Sequence, residues 1–321
     1  MKHVDVVIIG GSLAGAACVR ELWRRGVDAV AFDRDPFPRD RVCGGFLSPG
    51  AVDLLDELGT LETIRSAGAT PVRSSRIRVH DLAIDVDLPR PGLGVSRRTL
   101  DAVMANHPGV QQGTVRKVQR VGDTFRVVLA ECEVSARVVI DGAGKLSRFT
   151  PRHAAPQFGV QFYEPGTRGD VLDFWFFKDG YGGRVTVEGG LSNSCFLIYK
   201  DALPRYLNKS GCRVTGPVAY SRGKSDFMAI GDAAGMIDPF CGEGMRHALD
   251  TGMRAARIVA EGLTRGARYD AMRDRYEEEA GLRWRGKRRL GAFLRAMLTH
   301  PRISSLGLRR NPEYWFRKLW D

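Results

Sequence analysis

The chain has 321 residues, 43% of them hydrophobic, which is enough for one large α/β domain with an inserted layer or for two domains. Lys and Arg number 49 against 37 Asp and Glu, a formal charge of +12 that favours anionic partners: a dinucleotide, a phosphorylated substrate, nucleic acid or an acidic membrane. Six scattered cysteines with no CxxC pair argue against a disulfide framework and against a zinc site, and there is no apolar run long enough to span a bilayer.

Residues 4–9, VDVVII, form an apolar run that predicts a buried parallel strand. With a strand starting so early, no signal peptide is expected and the expected location is cytoplasmic. GGSLAGAACVRELWRRG follows and predicts a helix ending near Gly26. Gly10, Ser12 and Gly15 fall at the three fingerprint positions of a dinucleotide-binding turn, with Leu13 and Ala14 between them at the helix start. There, backbone N–H groups and the helix dipole suit a pyrophosphate. A second strand over 27–32 leads to Asp33, placed where an acid grips an adenosine ribose, with Arg34 next to it. A βαβ packing turn that binds nothing is the alternative.

Residues 71–95 and 158–200 contain strand-like runs rich in β-branched and aromatic residues, among them SSRIRVH, AIDVDL, VLDFWFF, GGRVTV and SNSCFLIY, which suit an antiparallel sheet. Phe162, Phe174, Trp175, Phe176, Phe177 and Tyr181 either line an apolar cavity or are ordinary sheet core. Between these runs, VSRRTLD places Arg97 four residues before Asp101, and RVVIDGAGKLSR carries Asp141, Gly142 and Gly144 at a strand exit.

MAIGDAAGMIDPFCGEGM, residues 228–245, runs from a strand into Gly231-Asp232, then through Pro239 and Cys241 into a helix over 242–262 that starts at Gly242 and Gly244 and runs through Met245. An Asp there can hydrogen-bond a chain of hydroxyls, and glycines at a helix start let N–H groups reach a flat, negatively charged ring. That combination suits a flavin. His247 reads as structural, and no histidine or carboxylate cluster suggests a metal. The C-terminal stretch LRWRGKRRLGAFLR places Leu290, Phe293, Leu294, Met297 and Leu298 at helical spacing with arginines around them. This helix either packs on the domain or touches anionic lipid at the inner membrane face; the tail adds NPEYWFRKLW. No nucleic-acid module is present.

Pro38, Arg39, Cys43, Gly44 and Gly45 complete a pattern. With the first fingerprint, Arg97, the Asp141 segment and the Gly-Asp segment, they occur in the order found in geranylgeranyl reductase-like proteins, a branch of the group A FAD-dependent monooxygenase-like flavoproteins. The resemblance covers roughly residues 4–265. It implies FAD contacts at Gly10, Ser12, Leu13, Ala14, Gly15, Asp33, Arg34, Arg41, Cys43, Gly44, Arg97, Val115, Asp141, Gly142, Gly231, Asp232, Pro239, Gly242, Gly244 and Met245. It sets Cys43, Pro239, Cys241, Gly242 and Gly244 beside the reacting ring. The Gly183-Arg184-Val185 run departs from the prenyl reductase pattern of an aromatic before Phe-Pro.

The expected fold is α/β: a Rossmann-like FAD-binding domain (1–70, 95–157 and 216–265) with an inserted antiparallel β-sheet substrate domain (71–94 and 158–215) and a basic helical C-terminal arm (266–321). The expected activity is hydroxylation of a hydrophobic or aromatic small molecule, such as a polyketide or terpenoid, with reduced flavin and oxygen. Reduction of carbon–carbon double bonds is the alternative, and a membrane-associated electron-transfer flavoprotein is a third. Electrons would come from NAD(P)H or a separate reductase. The sequence leaves the oligomeric state open.

Overall fold

The computed structural model describes residues 2–79, 82–167, 169–223, 225–299 and 320. Two sheets organise them. The first runs in the order Val110–Gln112, Ala29–Asp33, Lys2–Ile9, Glu133–Asp141, Thr124–Leu129, Val115–Val121, with Met228–Ala229 also paired to Glu133–Asp141. Its inner strands are parallel and buried on both faces: Val6, Val7 and Ile8 have no exposure, nor do Val138, Val139 and Ile140. Helix α1 (Leu13–Arg24) packs on one face against the helix Gly244–Thr264. The strands Val115–Val121, Thr124–Leu129 and Glu133–Asp141 form an antiparallel meander that the sequence reading did not separate from the cofactor domain.

Three helices of 6 to 9 residues lie between the sheets in the chain: α2 (Pro49–Glu57), α3 (Leu61–Ser66) and α4 (Arg97–Ala105). Ser96 caps α4 by accepting from Thr99 N–H at 3.1 Å, and Glu188 accepts from Ser96 N–H at 2.9 Å and from the Ser96 and Thr99 hydroxyls. The second sheet is thereby fastened to the start of the helix that carries Arg97.

That second sheet has the order Arg213–Thr215, Gln157–Pro165, Leu191–Tyr199, Gly180–Val187, Val171–Phe177, Thr70–Val79, Leu82–Gly94, Phe46–Leu47. It departs from the expected antiparallel sheet at one junction, where Val171–Phe177 runs parallel to Thr70–Val79 with Phe174 opposite Ile77. The two segments are separated by a long excursion through the first sheet, so no tight turn forces them antiparallel. Phe46–Leu47 also joins this sheet, so residues assigned to the cofactor side close its edge.

Helix α5 (Gly244–Thr264) follows the glycine loop; it buries Leu249 and Met253 against α1 and α2, and Ala255, Ala256 and Val259 in the core of the first sheet. Helix α6 (Tyr269–Thr299) then packs through Tyr269, Met272, Tyr276 and Trp284, all buried. Leu290 also packs inward, whereas Phe293 is exposed. The side chains of Leu294, Met297 and Leu298, and the tail except Trp320, lie outside the described residues. Among the described residues no helix is long and apolar enough to cross a membrane.

Candidate active site

Register brings distant motifs to one edge. Ile9 stands opposite Phe32 on one side and Asp141 on the other, and Ala229 stands opposite Asp141. The loops leaving these strands open together at their carboxyl ends, where open α/β sheets bind ligands. A cavity of about 240 Å³ lies there, walled on one side by Ser12, Leu13, Ala14, Gly142, Gly231 and Asp232. Leu172, Phe174, Tyr181, Gly182, Phe196 and Leu197 of the second sheet form the other wall.

The cradle depends on glycine at position 15. A Cβ there would sit 1.8 Å from the Gly10 carbonyl oxygen, so only glycine lets α1 start against the turn. The first turn of α1, Ser12 to Ala14, lines the cavity, and its N–H groups have no intrahelical partner. Ser12 Oγ donates to Asp101 Oδ2 at 2.9 Å and accepts from Arg97 Nη2 at 2.7 Å. Arg97 also holds Asp101 at 2.8 Å. Burial works against the Arg97 charge, but the Asp101 carboxylate outweighs it and keeps the guanidinium above its usual range.

Asp232 faces Lys145 and Arg97 across the cavity. Burial lifts its carboxyl above the usual range despite both cations. Burial likewise pulls the Lys145 ammonium below its usual range, against the attraction of Asp232. Cys195 also lines the cavity; burial and then Cys43 push its thiol up to about 12, with Lys145 opposing. The set fits a flavin dinucleotide. The helix start, Ser12 and Arg97 would hold the pyrophosphate, and Asp232 would take the hydroxyl chain. Gly242, Gly244 and Met245 would lie beside its flat ring.

The cavity gathers Ser12, Leu13, Ala14, Cys43, Gly44, Arg97, Gly142, Gly231, Asp232, Pro239, Gly242, Gly244 and Met245. Gly10 and Gly15 stand behind them as packing. Asp33 and Arg41 lie outside the cavity lining. The Asp33 carboxylate accepts from Gly11 N–H at 2.9 Å and from both Arg39 terminal nitrogens at 2.7 Å. Burial pushes against that carboxylate, yet Arg39 and the two backbone donors bring it below the usual range.

Arg34, Val115, Asp141 and Cys241 also lie outside the lining of this cavity. Arg34 is exposed and pairs with Asp35 at 3.3 Å. Val115 is a strand residue whose carbonyl accepts from Arg148 Nη2 at 2.6 Å. Asp141 is wholly buried, accepting from Ser147 Oγ at 2.6 Å, Thr150 Oγ1 at 2.7 Å and Ala143 N–H at 3.0 Å, so it fastens its own loop. Cys241 is buried outside the cavity lining, its Sγ facing Gly291 of α6. Gly244 remains in the lining, and a Cβ there would meet no atom of the described residues within 4 Å.

Lys145 and Cys195 were missed as site residues. Lys145 directly follows Gly144 of the second fingerprint, a readable position. Cys195 lies in an alternating strand, where nothing marks the cavity-facing side. His247 is buried and edge-on to Trp284 at 4.9 Å between ring centroids.

Residues 3–150 match the model of an FAD binding domain. Menaquinone reductase of Mycobacterium tuberculosis is 30% identical over 315 residues, covering 79% of this chain and 76% of that protein. The Mycolicibacterium smegmatis menaquinone reductase is 28% identical over 320 residues, covering 81% and 77%. Among solved structures, the flavin-dependent brominase Bmp2 superposes with a TM-score of 0.79 at 19% identity, covering 100% of this chain and 95% of that one. PqsL, a probable FAD-dependent monooxygenase from Pseudomonas aeruginosa, gives 0.78 at 14% identity, covering 95% and 99%. These structural likenesses concern the fold. The chain belongs to the FAD-dependent monooxygenase-like family of flavoproteins and is an FAD-binding oxidoreductase of that family.

Proposed function

We propose that the chain is an FAD-dependent reductase of a hydrophobic small molecule of quinone or isoprenoid type. The observation that carries this reading is one continuous cavity. It joins the cofactor-side residues to an apolar wall of Leu172, Phe174, Phe196 and Leu197, and it contains a thiol that stays protonated at neutral pH. The names of the menaquinone reductase relatives support it. The cofactor side is assigned to 1–70, 95–157 and 216–265, and the substrate side to 71–94 and 158–215.

Bound FAD supplies two-electron chemistry. Ser12 and Arg97 hold its pyrophosphate, and Asp232 orients its hydroxyl chain. The apolar wall takes up the substrate and excludes water. Cys195 Sγ holds the proton that a reduced carbon or oxygen requires. Electrons arrive from NAD(P)H or from a separate reductase.

Hydroxylation with oxygen is the second reading, favoured by the Lys145 ammonium, which would stabilise a phenolate substrate. Oxygen uptake and product mass, measured with NADPH and a menaquinone, separate the two. The reductase reading expects NADPH oxidation without matching oxygen uptake and a product that gains two hydrogens. A product heavier by one oxygen atom, with stoichiometric oxygen uptake, would select hydroxylation.

A further inference from the structure

A second cavity, about 310 Å³, shares the 229–234 segment with the first but has its own walls on α5 and α6. Four guanidinium groups line it, those of Arg222, Arg285, Arg288 and Arg289, against one carboxylate, Glu277. That carboxylate is engaged by Arg222 at 2.9 Å. Among the described residues, Arg285, Arg288 and Arg289 form no ion pair. The cavity is therefore strongly positive at the level of its own lining.

Two buried groups there are also unsatisfied. Arg288 Nη2 donates to the carbonyls of Ala234 at 3.1 Å and Gly235 at 3.2 Å, while its buried Nε has no partner among the described residues. His247 is 1% exposed and lines the same cavity, and its Nδ1 likewise has no partner among them. Burial and then Arg288 push its imidazole down to about 3, so it stays neutral and adds no positive charge. A buried polar group without a partner is costly, and an anion would satisfy a guanidinium by charge-assisted hydrogen bonds. Arginine's planar fork matches phosphate oxygens in particular.

We propose that this cavity binds a phosphate-type anion, carried either by a soluble phosphate or by a phospholipid headgroup. The site is independent of the reaction assigned to the first cavity.

The test uses the full chain loaded with FAD, so that the cofactor site cannot take up the probe. Inorganic phosphate and pyrophosphate are titrated by calorimetry at low salt. Vesicles of phosphatidylglycerol, with phosphatidylcholine as reference, are tested by co-sedimentation. Saturable binding of at least one probe is expected. R285Q/R289Q should weaken it at least tenfold, and E277Q should tighten it. R265Q/R268Q removes the same charge elsewhere and should change it less than twofold.

Binding of the soluble anions supports the proposal with free phosphate as the source. Binding of phosphatidylglycerol vesicles alone supports it with a headgroup as the source. Absence of saturable binding overturns it. So does equal weakening by the two double variants, which would reduce the effect to net charge. If R285Q/R289Q fails to retain FAD, E277Q decides: unchanged or weaker binding overturns the proposal.

Discussion

Replacing Asp232 with Asn should make the cofactor-free protein more stable and its FAD complex weaker. The carboxylate lines the cavity, has no hydrogen-bond partner among the described residues, and has its pKa raised by burial despite Lys145 and Arg97. A raised folded pKa contributes stability that is full below the unfolded value, near 3.8, and lost as pH rises through the folded pKa. At neutral pH the ionised group is therefore a liability to the empty fold, and the neutral amide removes it. Bound FAD should reverse the balance, because the carboxylate would then accept from a hydroxyl of its chain. Loss of one such charge-assisted bond costs about 1.5–3 kcal/mol, or about ten- to hundredfold in affinity. Differential scanning fluorimetry without FAD and fluorescence titration with FAD read the two effects. An apo melting temperature that falls, or an FAD affinity that is unchanged, would refute the reasoning.

Gly244→Val should fold normally, since its Cβ meets no atom of the described residues, yet bind FAD weakly because the side chain enters the cavity; equilibrium titration checks this. Gly15→Ala should destabilise the fold by about 3 kcal/mol or more, as a Cβ 1.8 Å from a backbone oxygen forces the helix off its turn; urea unfolding measures it. Arg39→Gln leaves the Asp33 carboxylate buried and unpaired, a loss of about 3–5 kcal/mol. Because Arg39 lowers the Asp33 pKa, that stability is present above about 3.8 and lost as pH falls through the folded value, so the variant should unfold at higher pH in an acid titration. Cys195→Ala should lower kcat about a hundredfold with little change in KM, and a pH–rate profile that matches wild type with undiminished kcat would remove the thiol from the reaction.

Local patterns made the cofactor side readable. An apolar strand, a Gly-Ser-Gly turn and an amphipathic helix are contiguous, so Gly10 to Gly15 could be read without tertiary knowledge. The Asp141 and Asp232 segments were visible as strand exits, but their different fates were not. Asp141 meets Ser147 and Thr150 from its own loop and becomes structural, whereas Asp232 opens on the cavity. The parallel junction at Phe174 and Ile77 depends on pairing between residues nearly a hundred positions apart, which no local signal carries. Cys195 was obscured for a related reason: strand alternation shows that a residue faces one side, not which side holds the cavity.

In the proposed reductase reaction, electrons would pass from FAD in this cavity to a hydrophobic substrate without oxygen. Anaerobic stopped-flow mixing of the dithionite-reduced holoprotein with a short-chain menaquinone tests it most directly. Flavin absorbance near 450 nm, roughly where oxidised flavins absorb, should return at a rate that saturates with substrate and falls in Cys195→Ala. A flavin that stays reduced until oxygen is admitted would contradict the account.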